Sequence, residues 1–283
     1  MKKTWTSRRR RWARALRRAL LFTLLVALLG PALPIGLLCV VSPPGSALMV
    51  ERWLEARAAG RSFRIHYDWV PLARTSRALR AAVVTSEDQR FRTHRGFDFE
   101  AMRDALEDSR RGRRLRGAST ISQQVAKNLF LWSGRSFVRK GLEAWLTVWI
   151  ELLWSKDRIL EVYLNLVELG DGVFGVEAAA RRYFGTSAAS LGADEAALLA
   201  AVLPSPRRSS VSQPSAVVRE RQRWILAQIR PAPPPPVEPP MPLEPPPPEP
   251  LAGELPLPDF PPLETVPLEA SPFPADLPTE PPR

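Results

Sequence analysis

The stretch Gly117-Ala-Ser-Thr-Ile-Ser-Gln-Gln-Val-Ala-Lys-Asn-Leu-Phe-Leu131 is polar and basic on a helix-like pattern. That pattern predicts a helix over residues 119–131, and Ser119 is a residue type favoured at helix N-caps. Side chains three and four residues apart share one face of a helix, and we expect the polar face here to point into a cleft. The residues predicted to form that face are Gln124, Lys127 and Asn128.

Acidic residues lie on either side of this helix in the sequence. Glu87 and Asp88 stand near the start of Ser86-Glu-Asp-Gln-Arg-Phe-Arg-Thr-His-Arg-Gly-Phe-Asp98, and Glu143 ends Arg139-Lys-Gly-Leu-Glu143. A carboxylate can take the proton from a hydroxyl nucleophile, and fixed cations can stabilise a departing phosphate. Two carboxylates separated by cationic residues therefore suit sugar chemistry with a phosphate leaving group.

The chain around these segments is mainly helical in its pattern from Arg52 to about Arg230, with few β-branched runs and with glycines at the expected turns. We therefore predict a mainly α fold for this part of the chain, with a linker or juxtamembrane segment over residues 42–64. The other predicted helices span residues 97–110, 137–154, 156–166, 176–183, 193–203 and 214–229.

The N-terminus predicts a membrane anchor. Nine Lys and Arg residues fall within residues 1–18, and residues 19–41 carry no charge. At about 1.5 Å per residue, this apolar run is long enough to cross the roughly 30 Å hydrocarbon core of a bilayer. It is too long for the apolar region of a cleavable signal peptide, whereas a buried soluble helix remains an alternative. Gly30, Pro31 and Pro34 predict a kink in the helix.

The basic flank also predicts the orientation of the anchor. Lys and Arg residues are enriched on the cytoplasmic side of membrane helices, so residues 1–18 are expected in the cytoplasm and the rest of the chain after residue 42 outside it. Although the formal net charge is +11, this topology excludes nucleic acid as the usual partner.

The C-terminal residues 231–283 have a different composition. They hold 23 of the 31 prolines and nine acidic residues against one basic residue. Such a segment cannot bury a core, so we predict an extended, largely disordered tail. It is either a solvated tail or a docking arm for a partner.

Two residue counts exclude other kinds of site. Cys39 is the single cysteine, so no intrachain disulfide can form and a Cys/His nucleophile pair is disfavoured. The two histidines, His66 and His94, are too few for a His-rich metal site.

Several ordered segments together resemble the peptidoglycan glycosyltransferase family, the transglycosylases of penicillin-binding proteins (glycosyltransferase family 51). The resemblance covers residues 65–230, and the absence of a penicillin-binding domain makes the chain similar to the monofunctional biosynthetic form. It implies a lysozyme-like, mainly α glycosyltransferase domain. The segments that carry it are residues 87–96, 117–130, 139–143, 155–165, 175–185 and 196–204.

The resemblance implies a role for each candidate residue. Glu87 would deprotonate the 4-hydroxyl of the acceptor sugar, with Asp88 beside it, and Glu143 would lie near the donor pyrophosphate. It leaves open whether a divalent metal ion, Mg²⁺ or Mn²⁺, binds near Glu143. The residues that would bind substrate or pyrophosphate are Ser119, Gln124, Lys127, Asn128, Arg135 and Lys140.

Several neighbouring residues have a structural alternative. Asp88 either assists Glu87 or holds its loop, and His94 is expected to brace that loop by hydrogen bonds rather than transfer protons. The arginines within residues 110–116 form either a solvated face or a contact with lipid or glycan. Core packing and membrane contact are both open for the aromatic patch of Phe130, Trp132, Trp145, Trp149 and Trp154.

These inferences lead to one main hypothesis and two alternatives. The main hypothesis is an inverting glycosyltransferase of cell-wall synthesis that polymerises lipid II into β-1,4 glycan strands in the bacterial inner membrane, with its catalytic domain in the periplasm. Its partners would be lipid II, the growing glycan chain, membrane lipid and, through the tail, other wall-synthesis or division proteins. The alternatives are a lytic muramidase and a non-enzymatic membrane scaffold of the wall-synthesis machinery.

Overall fold

The structure is a computed structural model that describes residues 2–112, 119–134 and 136–229. The predicted tail, residues 231–283, lies outside this part of the chain, as do Arg135 and residues 113–118. The described helices are α1 (Lys2–Leu29), α2 (Ala32–Leu38), α3 (Ala47–Ala58), α4 (Arg77–Glu87), α5 (Phe99–Arg110), α6 (Ile121–Phe130), α7 (Phe137–Leu153), α8 (Lys156–Leu166), α9 (Val176–Phe184), α10 (Ala193–Val202) and α11 (Ala216–Ile229), with a 3₁₀ turn at Leu72–Arg74. The fold is therefore mainly α, as predicted.

Serine and threonine caps set where several helices begin. The hydroxyl of Ser136 accepts a hydrogen bond from the Arg139 amide at the start of α7, and Ser155 does the same at the start of α8. Such caps satisfy amide groups that the helix itself leaves unpaired.

The predicted cap of α6 was wrong by one residue. Thr120, not Ser119, is the N-cap, and its hydroxyl accepts from the backbone N–H of Gln123. The Gln123 side chain in turn accepts from the backbone N–H of Thr120, which completes a capping box. The position of a glutamine three residues after the threonine favours Thr120 because the reciprocal pair satisfies two amide donors instead of one.

Two groups of helices build the core. The first group places α6 against both α7 and α8, and the second packs α4, α10 and α11 together. Ile121, Ile150 and Leu160 are fully buried in the first group, and Leu79 and Ile225 in the second. Each such side chain contributes about 1.5–3 kcal/mol of burial free energy. The two groups meet at the end of α4 and the start of α6.

A small sheet closes one side of the domain. Its strands are β1 (His66–Tyr67), β2 (Glu168–Gly170) and β3 (Val173–Phe174), in the order β1-β3-β2. β3 pairs parallel with β1 and antiparallel with β2. Gly172, at the turn between β2 and β3, has a φ of +72°, and a Cβ there would lie 2.4 Å from the carbonyl oxygen of Arg64. Only glycine fits this turn without a shift of the backbone.

The segment 42–64, predicted as a linker, contains a helix. α3 occupies Ala47–Ala58 and packs against α6. Arg52 Nε lies 3.0 Å from Oε2 of the buried Glu168, which ties α3 to β2. The segment was interpreted as a linker because its proline- and glycine-rich start at residues 42–46 marks a break. That break lies before α3, and α3 belongs to the folded body.

The N-terminal helices fit a single-pass membrane anchor. One stretch, Arg14–Leu38, is long and apolar enough to cross a membrane. The break between α1 and α2 falls at Gly30 and Pro31, where the sequence predicted a kink. Ile35 of α2 is fully buried against the domain, and its carbonyl oxygen accepts a hydrogen bond from Trp154 Nε1 at 2.7 Å. The C-terminal end of the anchor is thus docked on the end of α7.

Candidate active site

Glu87 is the last residue of α4, and one of its carboxylate oxygens is held from α6. Gln124 Nε2 donates to Glu87 Oε2 at 3.0 Å. The hydroxyl of the fully buried Tyr163 donates to the other end of the same amide, Gln124 Oε1, at 3.3 Å. Because Oε1 accepts from Tyr163, the amide presents its NH₂ group to Glu87. Glu87 and Gln124, which the sequence named separately as site residues, are therefore in direct contact.

The second oxygen of Glu87 has different partners. Ser86 Oγ lies 3.3 Å from Glu87 Oε1, and Arg221 Nη2 of α11 lies 3.4 Å from the same oxygen. Arg221 is not among the site residues that the sequence predicted. No local pattern signals the contact, because it joins residues 134 positions apart.

Asp88 holds the loop after α4 and the start of α6. Nε2 of His94 lies 2.9 Å from each carboxylate oxygen of Asp88, and the backbone N–H of Ile121 donates to Oδ2 at 2.9 Å. His94 Nδ1 accepts from the Gly96 amide, so Nε2 is the nitrogen that carries the proton toward Asp88. An anion at a helix N-terminus is stabilising. Asp88 and His94 thus have the bracing contacts that one of the sequence interpretations expected.

A cavity of about 370 Å³ opens beside Glu87. Its wall includes Glu87 and Asp88 from the end of α4, together with Ser119 from the segment before α6. It also carries acidic side chains of α5 and its N-cap, namely Asp98, Asp104 and Asp108. The cavity gives a neutral or cationic substrate group access to the Glu87 carboxylate.

Glu143 lies in a contrasting, cationic environment. It is buried on α7, where Arg139 Nη1 is 2.6 Å from its Oε2 and Lys140 Nζ pairs with its Oε1. Both cations stand one turn before it on the same helix, at spacings where side chains meet. We call Glu143, Arg139, Lys140 and the nearby Lys127 the cation cluster.

Lys127 of α6 belongs to this cluster through its electrostatics. Burial lowers the pKa of Lys127 below its usual value, Glu143 opposes that shift, and Arg139, Lys140 and Arg52 lower the pKa further. A partly buried ammonium among like charges gains from any anion that binds beside it. Since Gln124 and Lys127 are one helical turn apart, α6 connects the cation cluster to Glu87.

The donor set around Glu143 does not fit a divalent metal ion. The carboxylate is already paired with two cations, and the described residues contain no group of three or more His, Cys, Asp or Glu side chains able to hold a metal. We therefore assign no step to a metal at Glu143.

The remaining predicted residues differ in position. Asn128 is buried in α6, and Ser119 is exposed at the cavity. Arg135 lies outside the described residues. Arg139, whose guanidinium contacts Glu143, was quoted with its motif but not predicted as a site residue; its i,i+4 spacing to Glu143 could have identified it.

Comparison with known proteins gives one consistent family. A family described as Transglycosylase matches residues 57–230. A biosynthetic peptidoglycan transglycosylase of Xylella fastidiosa (strain M12) is 54% identical over 214 residues, which cover 75% of this chain and 88% of that protein. A protein of the same name from Pseudomonas syringae pv. syringae (strain B728a) is 55% identical over 201 residues, covering 71% of this chain and 85% of that protein. The chain therefore belongs to the transglycosylase family, as its ordered motifs predicted.

Proposed function

We propose that this protein is a peptidoglycan glycosyltransferase of cell-wall synthesis, which polymerises lipid II into β-1,4 glycan strands. The observation that carries the proposal is the arrangement along α6. Gln124 contacts Glu87 at an open cavity, and Lys127, one turn later, belongs to the cation cluster. A proton acceptor and a diphosphate-binding region are thus joined by one helix. The family and the names of the relatives support the same activity and do not favour a lytic muramidase or a scaffold.

Glu87 acts in this proposal as the general base. The 4-hydroxyl of the acceptor sugar is a poor nucleophile at neutral pH, so a carboxylate must remove its proton as the new glycosidic bond forms. The hydroxyl attacks the anomeric carbon of the donor from the face opposite to the leaving diphosphate. A single displacement of this kind inverts the configuration at that carbon.

The cation cluster stabilises the departing lipid diphosphate. Negative charge grows on the leaving group as the glycosidic bond to phosphate breaks, so fixed cations lower the energy of the transition state more than that of the bound substrate. Lys127 and Lys140 supply this charge, and Arg135 is the further arginine that the motifs predict. Glu143 touches the cations rather than the sugar, and it holds Arg139 and Lys140 in place.

The polar residues of the cavity side bind and orient the substrates. Gln124 holds the base, Ser119 stands at the cavity wall, and Asn128, predicted as a further substrate-binding residue, is buried on α6. Asp88 keeps the end of α4 against the start of α6 through its contacts with Ile121 and His94.

The anchor would place this site at the outer face of the bacterial inner membrane. The basic residues before α1's apolar half favour a cytoplasmic N-terminus and a periplasmic catalytic domain. Exposed apolar side chains of α7 favour contact with membrane lipid, from Phe137 at its first turn, which is 99% exposed, to Leu152 beside the docked anchor. The proline-rich tail is the part of the chain suited to recruit other wall-synthesis or division proteins.

Purified full-length protein in detergent micelles, mixed with labelled lipid II, tests the proposal. The wild-type protein should form polymers that a gel resolves, and Glu87→Gln should lower the rate by about 10³-fold, within the range for loss of a general base. Glu220→Gln, which changes an exposed glutamate of α11, should polymerise at the wild-type rate. Normal polymerisation by folded Glu87→Gln protein contradicts the assignment of the base, and release of muropeptides from purified sacculi would support the lytic alternative.

A further inference from the structure

Helix α11 reaches the catalytic end of α4 through one arginine. Arg221 Nη2 lies 2.9 Å from Ser86 Oγ, 3.1 Å from the Ser86 carbonyl oxygen and 3.4 Å from Glu87 Oε1. Within the described ranges, these are the hydrogen bonds that the structure gives Arg221, and its buried Nε has no partner there. The guanidinium is therefore directed at the end of α4.

The end of a helix is an unfavourable place for a carboxylate. The last carbonyl oxygens of α4 have no partner within the helix, and the helix dipole concentrates negative charge there. Glu87 adds a full negative charge at that point. Without a cation, its carboxylate would be repelled from the helix end and would lose its fixed direction.

One nitrogen of Arg221 contacts both an unpaired carbonyl oxygen at the helix end and the charged Glu87 carboxylate. It donates to the Ser86 carbonyl oxygen, as basic side chains near helix C-termini do, and it lies beside the Glu87 carboxylate. Ser86 extends the brace, because its hydroxyl lies 3.2 Å from the carbonyl oxygen of Ala200 on α10 and 3.3 Å from Glu87 Oε1. Ser86 and Arg221 thus contact the same oxygen of Glu87, and α10 supports Ser86.

We propose that Arg221 is a positioning residue that fixes the Glu87 carboxylate toward the cavity. The inference rests on the proposed function, in which Glu87 is the base. Gln124 fixes one oxygen of the carboxylate from α6, and Arg221 with Ser86 fixes the other from the opposite helix group. A carboxylate held at both oxygens from two sides keeps one orientation, and proton transfer depends on that orientation.

Arg221→Gln, Arg221→Lys and Arg223→Gln in the full-length protein test this inference. The glutamine removes the charge but keeps an amide donor, the lysine keeps the charge, and Arg223 is an exposed arginine on the same helix that serves as the matched control. We expect Arg221→Gln to lower kcat for lipid II polymerisation about 10- to 100-fold, since small misplacements of a catalytic group have effects of this size. KM should stay within twofold, Arg221→Lys should recover part of the rate, and Arg223→Gln should match the wild type.

The thermal unfolding midpoint separates positioning from simple packing. A packing role would lower the midpoint and would leave kcat per folded molecule unchanged, with Arg221→Lys no better than Arg221→Gln. A lowered midpoint with unchanged kcat overturns the inference. A kcat of Arg221→Gln within twofold of wild type, or a change confined to KM, overturns it as well. If Glu87→Gln is inactive while Arg221→Gln is normal, the positioning role alone fails. Full polymerisation activity of Glu87→Gln would instead contradict the proposal that Glu87 is the base.

Discussion

Glu87 and Glu143, the two glutamates predicted as catalytic residues, lie in opposite electrostatic environments. The Glu87 side chain is 12% exposed, lines an open cavity and receives a neutral amide donor and one long arginine contact. The Glu143 side chain is 4% exposed and is paired with Arg139 and Lys140 on its own helix. The residue type is the same, but the second carboxylate has no free oxygen for a substrate proton.

The difference separates two uses of a carboxylate in one site. A base must lie within hydrogen-bond reach of the proton that it accepts, so its carboxylate must border the space that the substrate enters. Glu87 meets this condition. Glu143 instead gathers positive charge, which keeps basic side chains together in a partly buried place where they would otherwise repel one another.

The largest expected effect contrasts the same substitution at the two positions. Glu143→Gln should lower the free energy of unfolding by about 2–3 kcal/mol, because it leaves the largely buried Arg139 without its counter-charge, an effect moderated by the partial exposure of Lys140. Glu87→Gln should change stability by less than about 1 kcal/mol while lowering the polymerisation rate about 10³-fold. Denaturant unfolding in detergent, alongside the polymerisation assay, measures both.

Glu107→Gln is the matched control for Glu143→Gln. Glu107 pairs with Arg111 at the same i,i+4 spacing, at 3.7 Å, but on an exposed surface. Exposed pairs of this kind contribute about 0.3–0.5 kcal/mol. Equal destabilisation by Glu143→Gln and Glu87→Gln would contradict the contrast between the two environments.

The second prediction concerns the amide that holds Glu87. Gln124→Leu keeps a side chain of similar size but removes the donor to Glu87 Oε2 and the acceptor for Tyr163. We expect kcat to fall about 10- to 100-fold, because the base loses one of its two fixed oxygens. Gln228→Leu, at an exposed position of α11, should have no effect. Steady-state polymerisation kinetics give kcat and KM for both variants. A rise in KM alone for Gln124→Leu would show that Gln124 binds substrate instead of holding the base.

Local contacts explain which parts of this site could be predicted from the sequence. The cations around Glu143 stand three and four residues before it, and the capping box of α6 is formed by Thr120 and Gln123, three residues apart. Here the sequence spacing alone determines the contact. The error at Ser119 arose because a single cap residue was considered without its reciprocal glutamine.

Long-range contacts explain what was missed. The donors to Glu87 come from positions 37 and 134 residues away, and the second of these depends on how α11 packs against α4. The docking of α3 depends likewise on Arg52 reaching Glu168, 116 residues on. Helix periodicity predicts each element but not which residue of one helix meets the end of another. The family resemblance supplied Glu87 and Gln124, whereas Arg221 required the packed structure.

The third prediction uses the lowered pKa of Lys127. Below that pKa the ammonium is present and can bind a diphosphate, and as pH rises through it the charge is lost before an ordinary lysine would lose its own. The affinity for inorganic pyrophosphate should therefore fall as pH increases toward 10.5. Lys127→Arg keeps its charge over this range. The ratio of the wild-type and Lys127→Arg dissociation constants, measured by calorimetry, cancels the titration of the ligand itself.

We expect this ratio to change by about tenfold across the alkaline range, since one charge is worth roughly 1.4 kcal/mol in a partly screened pair. A constant ratio would mean that Lys127 does not contact the diphosphate. The same experiment on Lys140, which is 47% exposed, compares a solvated member of the cation cluster with the partly buried one.

The smallest expected effect lies one step further from the base. Burial, with the negative charges of Glu87 and Asp88, raises the pKa of Tyr163 well above its usual value, so its hydroxyl stays protonated and available to Gln124 Oε1. Tyr163→Phe should allow the Gln124 amide to turn over part of the time, which would present an oxygen to the Glu87 carboxylate. We expect kcat to fall two- to fivefold, in line with loss of one neutral hydrogen bond of about 1 kcal/mol. Tyr183→Phe removes a hydroxyl that donates to the Leu169 carbonyl at the same 3.3 Å, away from the base. It should lower the free energy of unfolding by a similar amount and leave kcat unchanged. If both variants polymerise lipid II equally fast, Glu87 alone orients the amide, and the chain of fixed contacts behind the base ends at Gln124.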